Sequence, residues 1–237
     1  MLLLGLDTAT PAVTVALHDG RQPLAQLVTV DAHRHAELLA PAIAKVIADA
    51  GAERGDLTGV AVGVGPGPYT GLRVGIMTAK VLGEALGIPV YGVCTLDVIA
   101  ADVEGGRDFL VATDARRREV YWARYDAAGH RLTAPQVSAA ADIPDHDREL
   151  LTVGEGSLLY PSFLPNGHGP TYPAAATVCR VVAAALDVRG AGGAAGAASA
   201  AGAGREGDDG GVLLPPDPLY LRRPDAREPG APKRVSQ

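Results

Sequence analysis

The segment GPGPYTGLRVG, from Gly65 to Gly75, sets four glycines and two prolines between an apolar run and a helical pattern. A junction of that kind exposes unpaired backbone N–H groups, and glycine lets a ligand or another chain come close to them. Thr70 is placed to cap the helix that follows. The segment lacks the Lys-Ser/Thr of a phosphate-binding loop and the spacing of a dinucleotide fingerprint, so neither chemistry follows from it. The alternative is a tight strand-to-helix turn with a threonine cap.

Asp7 with Thr8 ends the first apolar run, where a carboxylate can orient a metal-bound water beside a phosphate, as in ATPases with a hairpin phosphate loop. The turn DTAT offers no glycine for a phosphate to approach, and the counterpart Asp114 is followed by Ala115, Arg116, Arg117 and Arg118. A nucleotide clamp made of two such hairpins is degraded on both sides. Asp7, Thr8 and Thr70 are therefore weak cofactor-binding candidates, and no cofactor is expected. His33 and His35 lie two apart, whereas helical metal ligands need a spacing of four to share a face, and HExxH and HxxxH do not occur. The arginine run reads as a solvated turn. No Ser-His-Asp or Cys-His set can be assembled, so no catalytic residue and no metal ligand is assigned. Cys94 and Cys179, far apart in sequence, are expected to be reduced and buried.

The elements that must hold these residues follow from periodicity. Apolar runs from Leu2 to Leu6 and from Ala12 to Leu17 predict a hairpin, extended by a strand from Leu24 to Val30. A helix is predicted from about His33 to Ala50, a buried strand from Gly59 to Gly65, a second helix ending near Gly87, and a strand around Val90 to Val93. The segment FLVATDARRREVYWARYDAAG then repeats the opening LLLGLDTATPAVTVALHDG: a strand ends in Asp, a strand restarts six residues later, and a second Asp follows after twelve. This predicts two similar α/β domains, residues 1–103 and 104–189. Residues 190–211, almost wholly Gly and Ala with a few charges, read as a flexible insert. Residues 212–237 read as a partly ordered proline-rich end, anchored around Leu219 to Leu221.

Composition narrows the function. Of 237 residues 47% are hydrophobic, enough for packed cores, but only 4% are aromatic, which leaves few platforms for stacking RNA bases. A formal charge of −6 argues against holding nucleic acid unaided. The start, MLLLGLDTAT, has no basic n-region and too short an apolar run for a signal peptide, so a cytoplasmic chain without a membrane span is expected.

Small residues mark the helices. Ala36, Ala40, Ala44 and Ala48 form one stripe, and Gly71, Gly75, Ala79 and Gly83 a second on a helix that is apolar or small almost all round. Packing between the two helices and packing against a partner chain both fit. The surface predicted for a partner comprises His35, Leu39, Ile43, Ile47, Tyr69, Gly71, Gly75, Ala79 and Gly83.

LGLDTATPAVTVAL, HAELLAPAI, GVGPGPYTGLRVG, TDARRREVY and PLYLRRPDA together resemble the TsaB (YeaZ) family, which serves formation of N6-threonylcarbamoyladenosine at position 37 of tRNAs. The resemblance implies a two-domain actin-like ATPase fold. It also implies a non-catalytic subunit that pairs through its first-domain helices with a TsaD-like transferase, joined by a TsaE-like ATPase and meeting tRNA only through the complex. Whether a homodimer forms in their absence stays open. A small-molecule kinase or ATPase and a metallopeptidase-like protein are the competing readings, the latter disfavoured for want of metal ligands.

Overall fold

The computed structural model describes residues 1–191 and 212–222. The inner strands of its first sheet are continuous apolar runs buried on both faces. Strands β1 (Leu3–Asp7), β2 (Ala12–His18) and β3 (Pro23–Val30) form an antiparallel meander. Helix α1 (His35–Asp49) leads to β4 (Gly59–Gly63), and α2 (Tyr69–Leu86) leads to β5 (Val90–Val93), giving the order β3-β2-β1-β4-β5. Leu4, Leu6, Val13, Val15, Val60 and Val62 meet α1 and α2 on one face. Leu3, Ala61 and Val93 point the other way.

That second face is covered by α6 (Ala175–Ala191), which follows the second sheet in the chain yet packs on the first through Val178, Cys179, Val182 and Ala183. The sequence reading assigned no element here, and a boundary that groups residues 104–189 separates this helix from the sheet it covers. Gly5 lets α6 close on β1: a Cβ there would collide with the Ala175 carbonyl and the Cys179 sulfur.

Between these elements lie α3 (Thr95–Ala100), β6 (Phe109–Asp114), β7 (Glu119–Tyr125), β8 (Gln136–Ala139), α4 (Asp145–Arg148), β9 (Leu151–Val153), α5 (Gly156–Leu159) and β10 (Gly167–His168). The second sheet runs β8-β7-β6-β9-β10, the same order as the first. Strand β7 lies 107 residues after β2 at both ends, as Asp114 does after Asp7. The repeat read from the sequence is thus a repeat of structure, and the duplicated order is that of the actin-like ATPase fold. The second hairpin is one residue tighter, pairing Asp114 with Val120 where the first pairs Asp7 with Thr14. Arg116, Arg117 and Arg118 close it with φ of 61°, 56° and 65°, a left-handed turn of three non-glycine residues.

Residues 212–222 pack back on the rest of the chain. Leu214 bridges Gly92 on the outer strand β5, and the Leu219 amide donates to the Val64 carbonyl (2.8 Å) while its side chain joins the core of the second sheet. The predicted insert from 192 to 211 and the chain beyond 222 lie outside the described residues. No helix among the described residues is long and apolar enough to cross a membrane.

Candidate functional site

Asp7 does not face the cleft that its position on the fold suggests. Its side chain is wholly buried, with Oδ1 accepting the Ala9 N–H (2.7 Å) and Oδ2 accepting the Thr95 hydroxyl (2.8 Å). Thr95 Oγ1 in turn accepts the Gly65 N–H (3.1 Å), so the carboxylate ties the hairpin turn to the glycine loop. Gly63 must be glycine because a Cβ would run into Asp7. Burial raises the Asp7 carboxyl from 3.8 to about 6, with the Ala9 amide and the Thr95 hydroxyl opposing the rise.

Thr8 is turned inward as well. Its hydroxyl donates to the Gly71 carbonyl (2.7 Å) and accepts the Gly75 N–H (3.0 Å), pinning the first turns of α2 to the end of β1. Thr70 is not the cap predicted for it. Pro68 occupies that position without a side-chain bond, and Thr70 is an exposed residue of the first turn, because the helix begins at Tyr69. A cleft of about 270 Å³ remains, lined by Thr8, Thr10, His35, Tyr69, Thr70 and Arg116 among others. Arg116 approaches Asp114 (3.5 Å). His35 Nε2 lies 2.8 Å from the Thr10 carbonyl and must be the protonated nitrogen there, while His33 is exposed. Among the described residues no group of three His, Cys, Asp or Glu could hold a metal. These bonds engage both carboxylate oxygens of Asp7 and the Thr8 hydroxyl within the chain.

The predicted partner surface separates into inside and outside. Leu72, Gly75, Ile76, Ala79 and Gly83 form the buried face of α2. Side chains on Gly71 or Gly75 would meet Thr8, and one on Gly83 would meet Val90. The stripe therefore brings α2 close to its own sheet, with Gly75, Ala79 and Gly83 buried and Gly71 half-buried at the cleft. His35 and Leu39 are likewise buried under α1, and Ile43 and Ile47 form the floor of a groove with little surface of their own. Of the residues named for the interface, Tyr69 alone stands well out, stacked on Tyr220 (centroids 5.5 Å, 21°) with the Arg73 guanidinium 4.9 Å from its ring centre.

The other stripe faces outward. Ala36, Ala40, Ala44 and Ala48 are all exposed on α1. Beside them a groove of about 700 Å³ runs between the helices, lined by Ala40, Ala44, Ala48, Thr78 and Leu82 over Ile43 and Ile47. Met77 and Val81, missed in the sequence, carry the ridge across α2 with exposures of 51% and 62%. Their signal was present: on a helix apolar nearly all round, these two lie opposite the small stripe.

Comparison with known proteins accords with this architecture. The model of the TsaD family, tRNA N6-adenosine threonylcarbamoyltransferase, matches residues 28–156. An uncharacterized protein of Mycobacterium tuberculosis is 54% identical over 144 residues, which cover 60% of this chain and 66% of that one, just short of two thirds of its length. The tRNA threonylcarbamoyladenosine biosynthesis protein TsaB of Escherichia coli is 34% identical over 179 residues, covering 68% of this chain and 74% of its own. A crystal structure of an uncharacterized Pseudomonas aeruginosa protein with similarity to peptidase YeaZ superposes with a TM-score of 0.71 at 26% identity, over 93% of this chain and 99% of the other. Read with the duplicated sheets and the inward-turned hairpin, these matches make the chain a member of the TsaB family.

Proposed function

We propose that this protein is a non-catalytic partner subunit of a TsaD-like transferase in the formation of N6-threonylcarbamoyladenosine at position 37 of tRNA. A TsaE-like ATPase joins the pair, and tRNA is met only through the assembly. The observation that carries this reading is the apolar ridge on α1 and α2. Alanines allow a partner helix to approach at the short end of the usual 8–10 Å interaxial range. Met77, Val81 and the groove supply apolar area that water otherwise covers. A stable pairing there buries roughly 1,200–2,000 Å².

The inward bonds of Asp7 and Thr8 support the non-catalytic part, since a kinase or ATPase needs those groups at the phosphate. The His35 bond to Thr10 weighs in the same way against a metallopeptidase.

Ala44→Arg tests the surface. Ala44 is exposed, so the melting temperature should hold while affinity for the organism's own TsaD-like subunit falls about tenfold or more in a calorimetric titration, ~1.4 kcal/mol. Unchanged affinity would remove the ridge from the interface. Nucleoside analysis of tRNA after depletion of the protein tests the pathway, and undiminished threonylcarbamoyladenosine would overturn the functional reading itself.

A further inference from the structure

Two of the chain's few aromatic rings meet in solvent and not in a core. Tyr69, at the start of α2, and Tyr220, far along the chain, stack on one another with 57% and 46% of their surface exposed. Both rings are held in place beforehand. The Leu219 amide donates to the Val64 carbonyl just past β4 (2.8 Å), Lys80 on α2 donates to Asp217 (2.6 Å), and the Arg73 guanidinium donates to the Tyr69 hydroxyl. Cations gather around the pair. Arg73 lies over the Tyr69 ring, and Arg116 lines the same cleft as Tyr69 and Thr70. Arg222, two residues past Tyr220, pairs with Glu119, which sets this end of the chain against the turn that carries Arg116, Arg117 and Arg118. Asp114 and Glu119 each face an arginine already, and among the described residues no carboxylate pairs with Arg73 or Arg118.

We infer that Tyr69 and Tyr220 form a stacking platform for an unpaired base of the tRNA, with Arg118 on the neighbouring turn taking a flanking phosphate. Single-stranded RNA is held by ring faces on which bases stack and by cations that follow the backbone, and both stand here side by side. An acidic peptide would need the cations alone and an apolar helix neither, whereas the ridge of Met77 and Val81 offers aliphatic surface and no charge. The formal charge of −6 belongs to the whole chain, and it does not describe this corner. Two rings serve only one or two bases, so the contact adds to the hold of the assembly on tRNA and cannot replace it. The inference thus rests on the proposed subunit role. Its position suits that role, because Met77 and Val81 follow Arg73 by one and two turns of α2 and place the platform at the end of the ridge.

The test is the affinity of the assembled pair, this chain with the organism's own TsaD-like subunit, for an unmodified tRNA transcript, read by fluorescence anisotropy at stepped salt. Tyr220 and Arg118 are exposed, so circular dichroism should show each variant folded. Tyr220→Ala should weaken tRNA binding about tenfold. Tyr220→Phe should keep it, since the ring stacks without its hydroxyl. Arg118→Gln should lower the slope of log affinity against log salt by about 0.7, the share of one phosphate on a single strand. Calorimetry should find the affinity between the subunits unchanged in all three. Full tRNA affinity with Tyr220→Ala in an intact pair would overturn the inference and leave the subunit role standing. Weaker subunit affinity with Tyr220→Ala would overturn it by making the platform a protein contact, and adenosine monophosphate that displaces the transcript at equal affinity would put a free nucleotide in place of the strand. A chain that forms no pair with the transferase would remove the subunit role and this inference together.

Discussion

Asp7→Asn should change how stability depends on pH, and the size follows from burial. The carboxyl sits at about 6 in the fold and at 3.8 when unexceptional, so the folded chain holds its proton more tightly than the unfolded chain does. A raised carboxyl stabilises below the lower value, and that contribution is lost as pH rises through the higher one. Two pK units correspond to about 3 kcal/mol. The wild-type protein should therefore lose roughly that much relative to Asp7→Asn between pH ~4 and pH ~7. Asparagine keeps an acceptor for the Ala9 amide and places an N–H beside Thr95, as the protonated acid does, without a charge to bury. Subtracting the two stability curves removes the other titrating groups. Among these are Asp31, lowered to about 2 chiefly by its Arg34 bond, and His18, lowered by burial. Thermal melts at stepped pH suffice, since about 3 kcal/mol amounts to roughly 6–12 °C in a chain of this size. Parallel curves would refute the reasoning. They would mean that Asp7 ionises like an exposed carboxylate, the state a phosphate-handling aspartate requires.

Two further substitutions test the packing. Ala79→Leu should lower monomer stability by about 1–3 kcal/mol through overpacking against the sheet, with affinity for the TsaD-like subunit unchanged per folded molecule; weakened binding at unchanged melting temperature would put the stripe back in the interface. Gly5→Ala should destabilise by about 1–3 kcal/mol, since the obstacle is the Ala175 backbone, which has little freedom to move; a melt indistinguishable from wild type would displace α6 from its place on β1.

The first sheet was legible because its strands are continuous apolar runs and its helices keep a clear period. The second domain showed itself only through β6 and β7, where the spacing from Asp114 to Asp126 copies that from Asp7 to Asp19. Strands β9 and β10, with three and two residues, are too short to carry a period and exist through pairing with β6 and with each other. Helix α6 runs into alanine and glycine, which blurs its end, and its contacts lie on a sheet far back in the chain. At the site, the sequence marked the right loops but not their direction. On a helix as uniformly small and apolar as α2, the buried side depends on the distance to the sheet, and Thr8 sets that distance by taking both Gly71 and Gly75.

The direction of those bonds links the hairpin turn to the ridge. In a working phosphate site the hairpin carboxylate, the hydroxyl beside it and the helix N-terminus must stay available to a ligand. Here the carboxylates and the hydroxyl have partners within the chain: Asp7 takes Ala9 and Thr95, Thr8 takes Gly71 and Gly75, and Asp114 takes the Arg116 amide (2.8 Å). Buried hydrogen bonds of this kind fix the elements they join. Thr8 holds α2 to β1, and the His35 bond to Thr10 holds the start of α1 to the same hairpin. The two helices that form the ridge are thus set in place from one turn, independently of any partner. A surface fixed in advance loses less entropy on association than one that must be ordered by its partner. The hairpin thereby acts as a brace for the ridge, and on the proposed reading the bonds that close the turn are the ones that hold the docking face in place.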